Sequence, residues 1–327
     1  MKRNFFKYRY IIILILFSIL LSILSPAFLR FSNIINVLWS VSTIGIIAVM
    51  ATFLLLNGNI DLSVGSIAAL SAIVIVKLIQ EHHTPIFIAI LIGIGVGAAA
   101  GGINGLLVAN TSVPDFIATF SMSSILTGIS QLLTGGKTIS IMSNKAYTSI
   151  GSGKVLGIPY PILVFAVLFL LAYFMLNKTV FGRSCYLCGG NRNAARMSGI
   201  STRKNLMLAY LFTGIAAAIS GVVLSALTQQ ASNDMGGGYE LDVIASVVIG
   251  GTLMSGGVGS MGGTLFGVLL VGLIDNGMNL LHFPGAVEPV VKGVIIIAAV
   301  TLNNVIANRI VNFKQPAKKS NSSGVSA

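Results

Sequence analysis
Long apolar runs recur from one end of the chain to the other, separated by short polar or Pro/Gly breaks. They cover 10 to 25, 35 to 56, 62 to 79, 86 to 109, 114 to 133, 159 to 177, 206 to 228, 240 to 254, 262 to 281 and 287 to 308. A bilayer core of ~30 Å is crossed by about 20 apolar residues in helical form. The pattern therefore predicts an all-α polytopic membrane protein of about ten transmembrane helices. Pro114 and the glycines near 250 mark the fifth and eighth runs as candidates for broken or re-entrant helices.

Within the fourth run, Gly93, Gly97, Gly101 and Gly105 repeat every four residues and strip one helix face to backbone, the pattern of close helix packing in lipid. Two stretches echo each other across the halves. GNIDLSVGS places Asp61 ahead of the third run and GYELDVIAS places Asp242 ahead of the eighth, with Asn104-Gly105 and Asn276-Gly277 in the runs that follow. With ten crossings the two stretches enter from opposite faces, the arrangement of an inverted-topology repeat.

Composition agrees with a membrane protein: 55% of the 327 residues are hydrophobic and 9% charged, against about 25% charged in soluble domains. The net charge of +12 belongs to loops rather than to nucleic-acid binding. Lys2, Arg3, Lys7 and Arg9 precede the first run, and Arg309, Lys314, Lys318 and Lys319 follow the last. Residues 178 to 204 carry Lys178, Arg183, Arg192, Arg196, Arg203 and Lys204 without one acid. Basic loops stay cytoplasmic, and ten crossings put both termini and the 178 to 204 loop on that side together. Lys137, Lys145 and Lys154 then fall outside, against the trend. The amino-terminal run lacks an A-x-A-like cleavage site, so it reads as a retained first helix. Residues 1 to 310 form one membrane domain, and 311 to 327 are expected to be a disordered cytoplasmic tail.

Candidate chemistry is sparse. Cys185 and Cys188 have no third and fourth ligand for zinc. GVGSMG (257 to 262) fits a dinucleotide fingerprint but lies outside any βαβ unit, and GGKT (135 to 138) lacks the first glycine of a P-loop. No catalytic or metal-ligating constellation stands out. Asp275 sits within LLVGLIDNGMNLL, where an ionised carboxylate needs a partner or water; it reads either as a pathway residue or as a structural acid beside Asn276. Asp61 and Asp242 are expected to cap or start helices.

The stretch CGGNRNAARMSGI (188 to 200) is polar and basic in an apolar chain. Its Asn193-Ala194-Ala195, three residues, then Gly199 resembles the E-A-A-x-x-x-G signature in the cytoplasmic loop of bacterial ABC-importer permeases. With NGNIDLSVGSIAAL (57 to 70), FGRSCYLCGGNRNAARMSGI (181 to 200) and the long motif from 238 to 281, the chain resembles the ribose-type monosaccharide permease family from about residue 35 to 310.

The resemblance implies a permease in the bacterial plasma (inner) membrane that works as a dimer of two such subunits, with a homodimer expected. Its partners would be an extracytoplasmic sugar-binding protein and a cytoplasmic ATPase with nucleotide-binding domains, and ATP would sit on that ATPase, with no cofactor on this chain. It implies a coupling role for Gly190, Asn191, Asn193, Ala194, Ala195, Arg196, Ser198 and Gly199. Asn193 stands where the family has Glu, and Arg192 replaces the acid common before it, so charge pairing with the ATPase differs. Asn36, Asn57, Asn59, Asp61, Asn104, Asp275, Asn276 and Asn279 are the candidates along a translocation pathway. Two alternatives stay open: another cargo, such as a furanosyl signalling molecule, a nucleoside or a branched-chain amino acid, and an ion-coupled secondary sugar transporter centred on Asp275.

Overall fold
The computed structural model describes residues 2–314, and side chains over 12–298, 300 and 301. The terminal basic side chains and the tail from 315 onward lie outside the described residues. The described chain is all-α apart from four two-residue strands. Its helices are α1 (Lys2–Leu24), α2 (Phe31–Leu56), α3 (Val64–Gln80), α4 (Ile86–Asn110), α5 (Asp115–Thr134), α6 (Lys145–Ser152), α7 (Tyr160–Lys178), α8 (Val180–Gly190), α9 (Arg192–Met197), α10 (Thr202–Thr228), α11 (Tyr239–Ile249), α12 (Met261–Leu280) and α13 (Val287–Lys314). Among the described residues, six of these are long and apolar enough to cross a membrane: α2, α4, α5, α7, α10 and α12. The chain is a polytopic membrane protein.

Each run falls on a helix, and the two runs flagged as candidates for a break turn out differently. The fifth run is one unbroken helix, because Pro114 sits ahead of α5 and costs it no internal hydrogen bond. The eighth run is not a single helix over 240 to 254: α11 stops at Ile249, and Gly251 takes a φ of +88° that turns the chain away. Antiparallel pairs β1 (Ile139–Ser140) with β4 (Gln230–Ala231), and β2 (Lys154–Val155) with β3 (Ile158–Pro159), tie loops at one end of the bundle.

α2 and α10 form the centre. From Val41 to Asn57 every residue of α2 and its cap is buried, whereas α4, α5 and α7 keep an apolar face outward, as lipid-facing helices do. The glycine face of α4 packs on α10: a Cβ at Gly101 would lie 3.0 Å from Gly214 Cα, and one at Gly105 would lie 2.9 Å from Met207 Cα. That contact is backbone on backbone, which is why small residues stand there. α3 and α11 start near one another, with Gly65 and Gly236 in close backbone approach.

Candidate functional site
Two polar regions interrupt the apolar bundle, one at each end of α2. The first is a cavity of about 320 Å³ between α2 and α12, lined by Asn33, Asn36, Val37, Ser40, Gly272, Asp275, Asn276, Asn279 and Leu280. Asn33 Nδ2 donates to Asn276 Oδ1 (3.0 Å) and Asn276 Nδ2 donates back to Asn33 Oδ1 (2.8 Å), a reciprocal amide pair that pins the two helices together. Asn36 and Asn279 are exposed, and among the described residues neither side chain makes a hydrogen bond within the chain. Their amides offer both donors and acceptors to whatever enters.

Asp275 meets a partner that the sequence reading passed over. Lys292 Nζ lies 3.4 Å from Asp275 Oδ1, 2.9 Å from Asp242 Oδ1 and 2.7 Å from Glu288 Oε1. Three carboxylates from three helices thus close on one ammonium. Asp242 lies in the first turn of α11 as expected, yet it caps nothing and joins this cluster. The available signal was a lone lysine in the apolar stretch EPVVKGVIII, four residues after Glu288.

The second region is the segment α8–α9 with the loops beneath it. Thr179 Oγ1 caps α8 by accepting from the Gly182 N–H (3.2 Å), and Asn191 Oδ1 caps α9 by accepting from the Ala194 N–H (3.0 Å). α9 ends in a Schellman motif: the Ile200 N–H donates to Ala195 O (3.1 Å) and the Gly199 N–H to Arg196 O (3.0 Å), with Gly199 at φ +79°. The Ala-Ala-x-x-x-Gly spacing is therefore the spacing of a short helix and its left-handed stop. Ala195 is buried as the inner contact, whereas Asn193, Ala194, Arg196 and Ser198 face outward, with Ser198 Oγ donating back to Ala194 O.

α8 rests directly on the end of α2. A Cβ on Gly189 would overlap the Leu56 carbonyl and come within 2.5 Å of Gly257 N. The Gly257 N–H already donates to Leu56 O (2.9 Å), and Gly257 itself needs its φ of +76° and comes close to Gly190. The glycines of GVGSMG thus serve backbone approach. Tyr186 adds a hydrogen bond to Gly259 O (3.0 Å).

From α9, Arg192 Nη2 donates to Asn59 Oδ1 (3.2 Å) and Asn59 Nδ2 donates to Asp115 Oδ2 (3.2 Å), which also accepts from the Ile60 N–H (2.8 Å). Beyond it, Asp61 Oδ1 accepts from the Ser63 N–H (2.8 Å) and hydroxyl (2.6 Å), and Asn104 Nδ2 donates to Ser63 Oγ (2.8 Å). Asp61 thereby fixes the turn into α3. Asn57 donates to Phe53 O within α2.

The eight pathway candidates divide accordingly. Asn36, Asp275, Asn276 and Asn279 line the cavity, whereas Asn57, Asn59, Asp61 and Asn104 gather at the opposite end of α2 beside α8–α9. Gly189, Asp115 and Lys292 are the residues that sequence reasoning missed. Burial pushes the Cys185 thiol up to about 12 and raises that of Cys188, so neither offers a thiolate at neutral pH.

Residues 33–300 match the family described as "Branched-chain amino acid transport system / permease component". The chain is 40% identical over 291 residues to the ribose import permease protein RbsC of Bacillus subtilis, covering 89% of this chain and 90% of that one. It is 36% identical over 310 residues to the RbsC of Haemophilus influenzae, covering 94% and 96%. It is 34% identical over 298 residues to the L-arabinose ABC transporter permease protein AraH of Azospirillum brasilense, covering 91% and 87%. No solved structure matches the chain. With the α8–α9 segment seated on a buried α2 and a family match across almost the whole bundle, this chain belongs to the permease-component family of the branched-chain amino acid transport system type.

Proposed function
We propose that the chain is a membrane-spanning subunit of an ABC importer for a ribose-type monosaccharide, paired with a second copy of itself in the bacterial plasma (inner) membrane. An extracytoplasmic binding protein delivers the sugar. A separate cytoplasmic ATPase binds and hydrolyses ATP and docks on α8–α9, so this chain contributes passage and coupling and no catalysis. Both termini and α8–α9 are cytoplasmic in this reading, which their excess of Lys and Arg supports. The approach of Gly65 to Gly236, where two short helices begin from opposite halves of the sequence, supports an inverted repeat.

One observation carries the reading: α2 runs from one polar region to the other. Its 26 residues span about 39 Å at 1.5 Å per residue, from the cavity-lining Asn33 and Asn36 to the Leu56 carbonyl under Gly189. A displacement of α8–α9 therefore reaches the cavity through one buried helix. The amide and hydroxyl lining fits a polyol better than an aliphatic side chain, which favours the sugar named in the relatives over the amino acid named in the family description. The relatives named as import and ABC transporter permeases favour the ABC importer over an ion-coupled carrier.

Uptake of labelled monosaccharides into proteoliposomes holding the permease, ATPase and binding protein tests this. ATP-dependent uptake that requires the binding protein is expected, and uptake that ignores ATP but collapses with an uncoupler overturns it. In the same assay Asn36→Leu with Asn279→Leu is expected to lower sugar uptake about tenfold, equivalent to one lost pair of neutral hydrogen bonds, with the yield of monodisperse protein unchanged. Unaltered uptake would remove the cavity from the pathway.

A further inference from the structure
The geometry points to a binding site for an anionic phospholipid at the end of the α4–α10 seam beside α9. Arg192, Arg196 and Arg203 line a cavity of about 130 Å³ together with Asn110, Thr111 and Thr202, and no carboxylate shares that lining. Adjoining it along both helices is an apolar groove of about 300 Å³ lined by Gly102, Leu106, Met207, Leu208 and Leu211, with Lys204 at its mouth. Leu106 of the groove lies one turn from Asn110 of the basic cavity, and Lys204 of the groove directly follows Arg203. Cationic groups thus stand at the foot of an acyl-sized slot, the pairing that a phosphate headgroup and its chain require.

The groove exists because Gly102 has no side chain. A Cβ there would meet only Leu211 Cδ1, at 3.9 Å, so this glycine is not spent on the helix contact that its neighbours Gly101 and Gly105 make. Leu106 and Leu208 are exposed on the same seam.

Charge complementarity decides the occupant. A second copy in the same orientation presents at this end only Asp61, which is buried, and Asp115, which already accepts from Asn59 and Ile60. The six other acids of the chain, Glu81, Asp234, Glu240, Asp242, Asp275 and Glu288, lie beyond the other ends of their helices or in the Lys292 cluster. The negative charge must come from outside the permease, and the apolar slot beside the arginines assigns it to lipid. The site lies in the cytoplasmic leaflet, a placement that rests on the orientation proposed above.

The test uses the purified full-length permease alone, so it is independent of transport. Native mass spectrometry after exposure to phosphatidylglycerol or phosphatidylcholine is expected to show phosphatidylglycerol retained preferentially. Arg196→Gln and Arg203→Gln should each reduce that retention about fivefold, the weight of one basic residue at an anionic surface. Gly102→Leu, which fills the slot without touching the charge, should reduce it as well. Equal retention of the two lipids, or retention indifferent to all three variants, overturns the site. Arginine variants that keep the lipid overturn it, and in a parallel pull-down with the ATPase their loss of capture would assign the arginines to an acidic surface on that partner. If the sugar-uptake reading fails while phosphatidylglycerol preference holds, the lipid site stands; the reverse outcome removes it and leaves the importer intact.

Discussion
Gly189→Val is expected to abolish most transport while leaving the bundle folded. The substitution adds a Cβ where the Leu56 carbonyl stands and within 2.5 Å of Gly257 N. Neither neighbour is a flexible side chain: one is the terminal backbone of α2 and the other a glycine held at φ +76°. α8 must lift off α2. Overpacking of this kind costs about 1–3 kcal/mol, and since about 1.4 kcal/mol is tenfold, ATP-driven uptake should fall about ten- to a hundredfold. The packed interfaces of α2 with α10 and of α4 with α10 lie elsewhere, so size-exclusion behaviour should be preserved. Gly128→Ala in α5, where an added Cβ meets nothing within 4 Å, is the matched control. Uptake within twofold of the unmodified chain would mean that α8 does not work through α2.

The second large effect is on stability. Lys292→Met removes the one ammonium among Asp242, Asp275 and Glu288, of which Asp242 is 4% exposed. Stripping one partner from a buried ion cluster costs about 3–5 kcal/mol, because the buried Asp242 and largely buried Asp275 lose their counter-ion with little water to replace it. A lowered thermal midpoint in detergent and a poor yield of monodisperse protein are expected. Adding Asp242→Asn should restore part of the loss, since it removes a carboxylate that has become unpaired. A midpoint unchanged by Lys292→Met would show that the acids draw their compensation from another source.

How far the sequence foretold this structure depends on the range of the interaction concerned. The long apolar runs were legible because burial in lipid acts residue by residue, and the α4 glycine face because its period is local. The α9 signature was legible for the same reason: the Ala195 to Gly199 spacing encodes a helix stop within six residues. The early end of the eighth run was legible from the glycines near 250 and not from hydropathy, since apolarity continues past Ile249 while Gly250 and Gly251 end the helix.

Asp275 could be flagged as needing a partner, yet Lys292 lies on another helix and only the packing of α11, α12 and α13 joins them. Gly189 was one of several glycines in its stretch, and its approach to Leu56 bridges residues far apart in the chain. The pathway asparagines were grouped by residue type, whereas the fold sorts them by which end of α2 they flank.

The claim that events at α8–α9 reach the cavity through α2 is tested most directly by a distance across that cavity. Spin labels introduced through Asn36→Cys and Asn279→Cys, in a background with Cys185→Ala and Cys188→Ala, report the separation of α2 from α12 in the assembled complex. Pulsed electron resonance with and without ATP should give two distinct distance distributions, collapsing to one when Gly189→Val is added. A single distribution, indifferent to ATP in the unmodified complex, would contradict the account.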